Sequence, residues 1–184
     1  MDGFGEVLRG LDWSVPIRLL LSVLPALICI TLHECAHGYA AYRLGDDTAK
    51  RAGRLTLNPI KHIDIVGLIM LVTLHFGWAK PVPVNMNRLK DPKQGMALTA
   101  AAGPLANLLI TILALFIYGL LFYPLSRSQA GDYVLQTVYI TAYLSLTLAI
   151  FNIIPIPPLD GSKVLYSFIS ERSYRKLMYY ERYG

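Results

Sequence analysis

Glutamate is almost missing from this chain of 184 residues: none lies between Glu34 and Glu171. Charge of either sign is sparse, with 16% Asp, Glu, Lys and Arg against 54% hydrophobic residues. That balance excludes an ordinary soluble domain and suits a polytopic membrane protein. Cysteine is scarce as well, with only Cys29 and Cys35 present. Six positions apart on one helix, they face different ways. A disulfide between them is excluded, and cysteine usage leaves the redox compartment unread. No basic run is interleaved with aromatic residues. The net charge of +5 therefore reads as the positive-inside bias of cytoplasmic loops, and nucleic acid is not an expected partner. Internal repeats and low-complexity stretches are also absent. Residues 1–184 are expected to form a single membrane-embedded domain.

What the sequence does have is one polar cluster in an apolar setting. His33-Glu34-Cys35-Ala36-His37 follows a run from Val15 to Leu32 that is almost wholly apolar. The run leads into this motif instead of a small-residue cleavage site, so it reads as retained and not as a signal peptide. Two histidines four apart share one helical face and can hold one zinc ion, with the intervening Glu placed to activate a water. From Val15 to His33 a helix rises about 27 Å at 1.5 Å per residue. The hydrocarbon core is about 30 Å thick, so the motif is expected near the far face of the bilayer.

Four apolar segments are visible. They run from about Val15 to Leu44, Ile63 to Trp78, Gly95 to Tyr123 and Tyr133 to Ile156. Gly45 suits a C-terminal stop for the first, and Pro155, Pro157 and Pro158 break the last. The second is short for a span and is followed by an extended-looking Gly77–Asn85. The fold class expected is all-α and polytopic, with three transmembrane helices and a re-entrant or β-like inserted segment. Loop charge agrees with that layout. Residues 43–61 hold five Lys/Arg, residues 79–94 four, residues 124–132 one and the tail five. With 63–78 re-entrant, every strongly basic stretch falls on one side, which places the motif near the cytoplasmic face. The tail from Ser162 to Gly184 mixes apolar and charged residues and reads as a surface or interfacial helix.

A hydrolytic zinc usually has three protein ligands and an open position. With no Glu between Glu34 and Glu171, a glutamate ligand on a nearby helix is excluded. Arg43 stands where an extended motif would place a third histidine. Asp46, Asp47, Asp91 and Asp132 lie in loop-like sequence. His62, Asp64 and His75 remain open. Asp160 is the leading candidate, because it follows the proline break. Broken backbone at membrane depth is tolerated where it lines a polar cavity, and an aspartate there is costly unless paired or ligating. Further along, Lys80-Pro81-Val82-Pro83-Val84 alternates prolines. The N–H groups of Val82 and Val84 would then face one edge, where an unwound substrate could pair. The alternative is a plain extended connector.

HECAH at 33–37, AAGPLAN at 101–107 and NIIPIPPLDG at 152–161 together resemble the site-2 protease family of intramembrane zinc metalloproteases. RLTLNPIKHID and GWAKPVPVN resemble the compact bacterial and archaeal branch without a PDZ domain. The resemblance runs from about Pro16 to Gly184. It implies one zinc per chain on His33, His37 and Asp160, with Glu34 as the general base. It also implies that Asn107 faces the site and bonds substrate or the oxyanion. Asn152 would do the same or bond the broken backbone. The implied partners are membrane proteins whose transmembrane helix unwinds for cleavage, in the inner membrane of a prokaryotic cell. On the family pattern another spanning helix precedes and another apolar segment follows, so the chain reads as the core of a longer protein. Two other classes compete: a zinc-binding scaffold or pseudoprotease without turnover, and a metal transporter. Glu34 argues against the first, and the lack of a second polar relay argues against the second.

Overall fold

A computed structural model describes residues 14–74, 78–170, 172–173 and 176–177. Its helices are α1 (Ser14–Arg43), α2 (Thr48–Arg51), α3 (Ile65–Leu74), α4 (Pro92–Leu125), α5 (Gln129–Ile153) and α6 (Asp160–Tyr166). Single 3-10 turns lie at Pro59–Lys61 and Met86–Arg88. Among the described residues there is no strand, only an isolated antiparallel bridge between Ile63 and Ala79. His75 and part of the expected interfacial tail, residues 171, 174–175 and 178–184, lie outside the described residues.

Helix ends follow local chemistry. α1 stops where Gly45 takes φ 111°, a conformation that side-chain-bearing residues rarely adopt. α4 starts at Pro92, with the Asp91 carboxylate accepting from the N–H groups of Lys93 and Gln94. α5 is capped by Ser128, whose hydroxyl accepts from Gly131 N–H. Three prolines after Ile153 forbid its continuation, and the chain restarts as α6 at Asp160.

α1, α4 and α5 pack against one another, and α6 rests on α4. Their shared core is small and polar: Cys29, Ala100, Asn107, Thr111, Ala142, Ser145 and Ala149 are buried. Leu105, Leu109, Ile112, Phe116, Tyr139 and Ile150 point outward. Hydrogen bonds cross between helices inside, with Ser145 Oγ donating to Asn107 O at 2.9 Å and Thr111 Oγ1 to Ala142 O at 3.4 Å. Small residues and polar contacts inside, with large apolar residues outside, are the pattern of helices packed in lipid. α4 and α5 are long and apolar enough to cross a membrane. α1 is a single helix of 30 residues despite Pro25.

The segment expected to be re-entrant or β-like contains α3, ten residues long. At 1.5 Å per residue it rises about 15 Å, half the hydrocarbon thickness of about 30 Å. Its entry and exit meet, with Ile63 bridged to Ala79 and Lys80 N–H donating to His62 O at 2.9 Å. The two ends of the segment therefore lie side by side.

Residues 80–85 run extended after it and are tied down at three points. The buried Arg54 guanidinium donates to Lys80 O and, at 3.3 Å, to Pro81 O. Glu34 Oε2 accepts from Val82 N–H at 2.8 Å. The fully buried Asp46 accepts from Asn85 N–H at 2.6 Å and from Thr48 N–H at 3.0 Å. Burial pushes the Asp46 carboxyl up, but these bonds outweigh it and hold the group below its ordinary range.

Candidate metal centre

α1 carries His33 and His37 one turn apart, both buried, with rings edge-on at a centroid distance of 4.5 Å. The two Nε2 atoms are 3.0 Å apart. Each lies 3.1 Å from Asp160 Oδ2. A metal with bonds of about 2.0–2.1 Å in tetrahedral geometry spreads its ligands to about 3.3 Å. The triangle of donors is close to that size, and its two imidazoles and one carboxylate form a donor set natural to zinc.

The surroundings orient these donors. On α4, Thr99, Gly103 and Asn107 recur every four residues and so share one face. His37 Nδ1–H donates to Thr99 O at 2.7 Å, which leaves Nε2 as the free lone pair. The Asn107 amide lies 3.1 Å from His33 Nδ1. An imidazole that ligates through Nε2 carries its proton on Nδ1 and must donate it. The otherwise unpartnered Asn107 Oδ1 is the atom suited to receive it, and amide rotation presents it. Between these two contacts Gly103 leaves room for the rings. A Cβ there would stand 2.5 Å from His37 Nε2 and 2.7 Å from His33 Cε1.

Asp160 arrives from the other side, at the first position of α6. Burial pushes its carboxyl up, but hydrogen bonds to His33 and His37 outweigh this and hold it well below the usual range. Lys163, one turn on, places Nζ 3.9 Å from Asp160 Oδ1. The two carboxylate oxygens are thus divided, Oδ2 toward the imidazoles and Oδ1 toward a cation.

Together these groups line a cleft of ≈ 240 Å³. Glu34, Val82, Val84, Asn152 and Lys163 share its wall with the three donors. The chain is 40% identical over 164 residues to "Putative zinc metalloprotease YwhC" of Bacillus subtilis (strain 168), which covers 88% of this chain and 75% of that protein. A model of peptidase family M50 matches residues 124–181. The chain belongs to peptidase family M50, the site-2 protease family. That membership makes it a zinc metalloprotease. Rip2 of Mycobacterium tuberculosis (strain ATCC 25618 / H37Rv) is 31% identical over 155 residues, 82% of this chain and 58% of that protein. Rip2 of Mycolicibacterium smegmatis is 28% identical over 162 residues, 86% of this chain and 61% of that protein. The chain thus spans about three fifths of the length of the mycobacterial relatives. No solved structure matches it.

The M50 chain brings most of the residues singled out in its sequence together, with two corrections, at Asn107 and Val82. Asn107 is fully buried behind His33 and does not line the cleft. Its one side-chain contact toward the site is to the His33 imidazole. Val82 lines the cleft, but its N–H is spent on Glu34 and is not free for an edge-pairing substrate. Among the open ligand candidates, His62 bonds Thr56 O at 2.8 Å and Asp64 accepts from Gly67 N–H at 2.9 Å, so neither joins the donors. Asn152 sits at the cleft with its amide turned back on its own helix. Its Nδ2 donates to Leu148 O at 2.9 Å, and the residue borders the cleft. Gly103 and Lys163 escaped sequence reasoning. The four-residue recurrence of Thr99, Gly103 and Asn107 was the available signal for the first. The i, i+3 spacing from Asp160 was the signal for the second.

Proposed function

We propose that this chain hydrolyses peptide bonds in or beside a transmembrane segment of membrane-protein substrates, with zinc held by His33, His37 and Asp160. The observation that carries the reading is the donor triangle with the Glu34 carboxylate on the same cleft wall. When bound there, zinc supplies Lewis acidity and makes water acidic enough to attack near neutral pH. Glu34 takes the proton released in the attack and returns it to the leaving amine. Val82 N–H keeps that carboxylate from swinging away. Asn152 and Lys163 are placed to meet the charge that grows on the scissile carbonyl oxygen. Val84, whose N–H donates to no described residue, offers a backbone contact to an extended substrate. A scaffold that merely stores zinc has no use for an anchored Glu34. The test is cleavage by the chain reconstituted in lipid with a single-span substrate. Cleavage should fall within or next to the span, stop on zinc chelation and return with added zinc. Cleavage that survives chelation would contradict the reading.

The membrane layout belongs to the same proposal. Three spans, α1, α4 and α5, with α3 dipping in and returning, put the basic stretches and the metal cleft at the cytoplasmic face of a prokaryotic inner membrane. Support comes from the half-bilayer length of α3, the meeting of Ile63 with Ala79, and the loop charges. Single cysteines at Thr48, Lys90 and Ser128, in a background lacking Cys29 and Cys35, test it with an impermeant thiol reagent. Thr48 and Lys90 should label from one side of oriented membranes and Ser128 from the other. Opposite sides for Thr48 and Lys90 would mean that the α3 segment crosses.

A further inference from the structure

A second cavity lies beside α1 and α5, separate from the metal cleft in its lining residues. Three elements contribute residues to both, in register. On α1, Leu27, Ile30 and Thr31 lie on the face that Glu34 continues. On α5, Leu144 and Leu148 precede Asn152 by about two turns and one turn. Along the extended segment, Trp78 and Ala79 precede Pro81 and Val82. The earlier residue of each element lines this second cavity, of ≈ 220 Å³, and the later one lines the metal cleft. The second cavity therefore lies beside the first, toward the apolar end of α1.

Its walls are mainly apolar, with Thr31, His62 and Asp64 among them, the last accepting from Gly67 N–H at 2.9 Å. Thr31 Oγ1 and His62 Nδ1 are buried and have no hydrogen-bond partner among the described residues. Both residues line this cavity, at 4% and 2% exposure. His62 Nε2 faces Thr56 O, which can only accept, so the ring proton sits on Nε2 and Nδ1 is a bare acceptor. An apolar chamber of this size suits a large aliphatic or aromatic side chain.

We propose that this cavity is a specificity subsite that receives a large apolar side chain of the unwound substrate. It rests on the proteolytic reading above. The position follows from the register. From Thr31 or Leu27 to Glu34 the helix rises about 5–10 Å. An extended substrate covers that distance in about two or three residues at 3.3 Å each. The recognised side chain is thus two or three residues from the scissile bond, on one side only.

The test scans Leu, Ala and Asp through each flanking position of a cleaved single-span substrate. At one position, two or three residues from the cut, Leu→Ala should lower kcat/KM about tenfold, the scale of a filled apolar pocket. Ala26→Phe, which fills the cavity, should abolish that preference while zinc content and cleavage of the Ala substrate persist. A flat scan, or an undiminished preference in Ala26→Phe, overturns the subsite. A photoreactive phenylalanine at that substrate position, offered to the Glu34→Gln protein, reads occupancy without turnover. Crosslinks at Leu27 or Leu148 support the subsite even where no substrate is cleaved, an outcome that would reject the proteolytic reading alone. Crosslinks confined to residues outside this cavity reject the subsite.

Discussion

Glu34→Gln is expected to lose about 10²–10⁴-fold in turnover while keeping its zinc. The carboxylate is not among the three donors, so removing its proton affinity leaves the metal set intact. Gln also keeps an oxygen in the place where Glu34 Oε2 accepts from Val82 N–H at 2.8 Å. The extended segment should therefore stay docked, and the loss should fall on the chemical step. Single-turnover cleavage of a reconstituted substrate, with zinc measured in the same samples, reads both parts. Turnover close to wild type would remove Glu34 from the mechanism. Loss of zinc would show that the carboxylate belongs to the metal site.

Gly103→Ala is expected to damage the site through its ligands without touching any of them chemically. The added methyl would stand 2.5 Å from His37 and 2.7 Å from His33. Neither ring is free to retreat, since His37 is tied to Thr99 O and His33 to Asn107, on the turns of α4 either side of Gly103. Displaced donors should cost about 10–100-fold in zinc affinity and about 10²-fold in turnover. Gly119→Ala on the same helix is the control, because a Cβ there meets nothing within 4 Å. Zinc competition titrations on both variants check the contrast. Equal affinities would mean that α4 does not hold the imidazoles as described.

The first helix and its metal motif were legible because both signals are local. Spacing by four puts His33 and His37 on one face, and Gly45 marks the end of α1 to within a residue. Asp160 was legible by a different route: the proline break and the shortage of carboxylates left few other ligands. The shortness of 63–78 anticipated α3, although its ends meet through a single bridge at Ile63–Ala79 and not through a strand pair. What the sequence hid were contacts between distant segments. The alternation of Pro81 and Pro83 pointed to a free Val82 N–H on one edge, but nothing local says that Glu34, 48 residues away, takes it. Asn107 was placed near the site, yet its side chain faces the back of His33 because α4 packs its small-residue face on α1. Gly103 looked like ordinary helix-packing sequence for the same reason.

The central claim is that one zinc binds to His33, His37 and Asp160, and X-ray absorption with metal analysis on wild type and Asp160→Ala tests it most directly. The account predicts one zinc per chain in the wild type, with two imidazoles and a carboxylate oxygen in its coordination shell. Asp160→Ala should lose most of that zinc, and any that remains should show no carboxylate ligand. Full occupancy with an unchanged shell in Asp160→Ala would contradict the account.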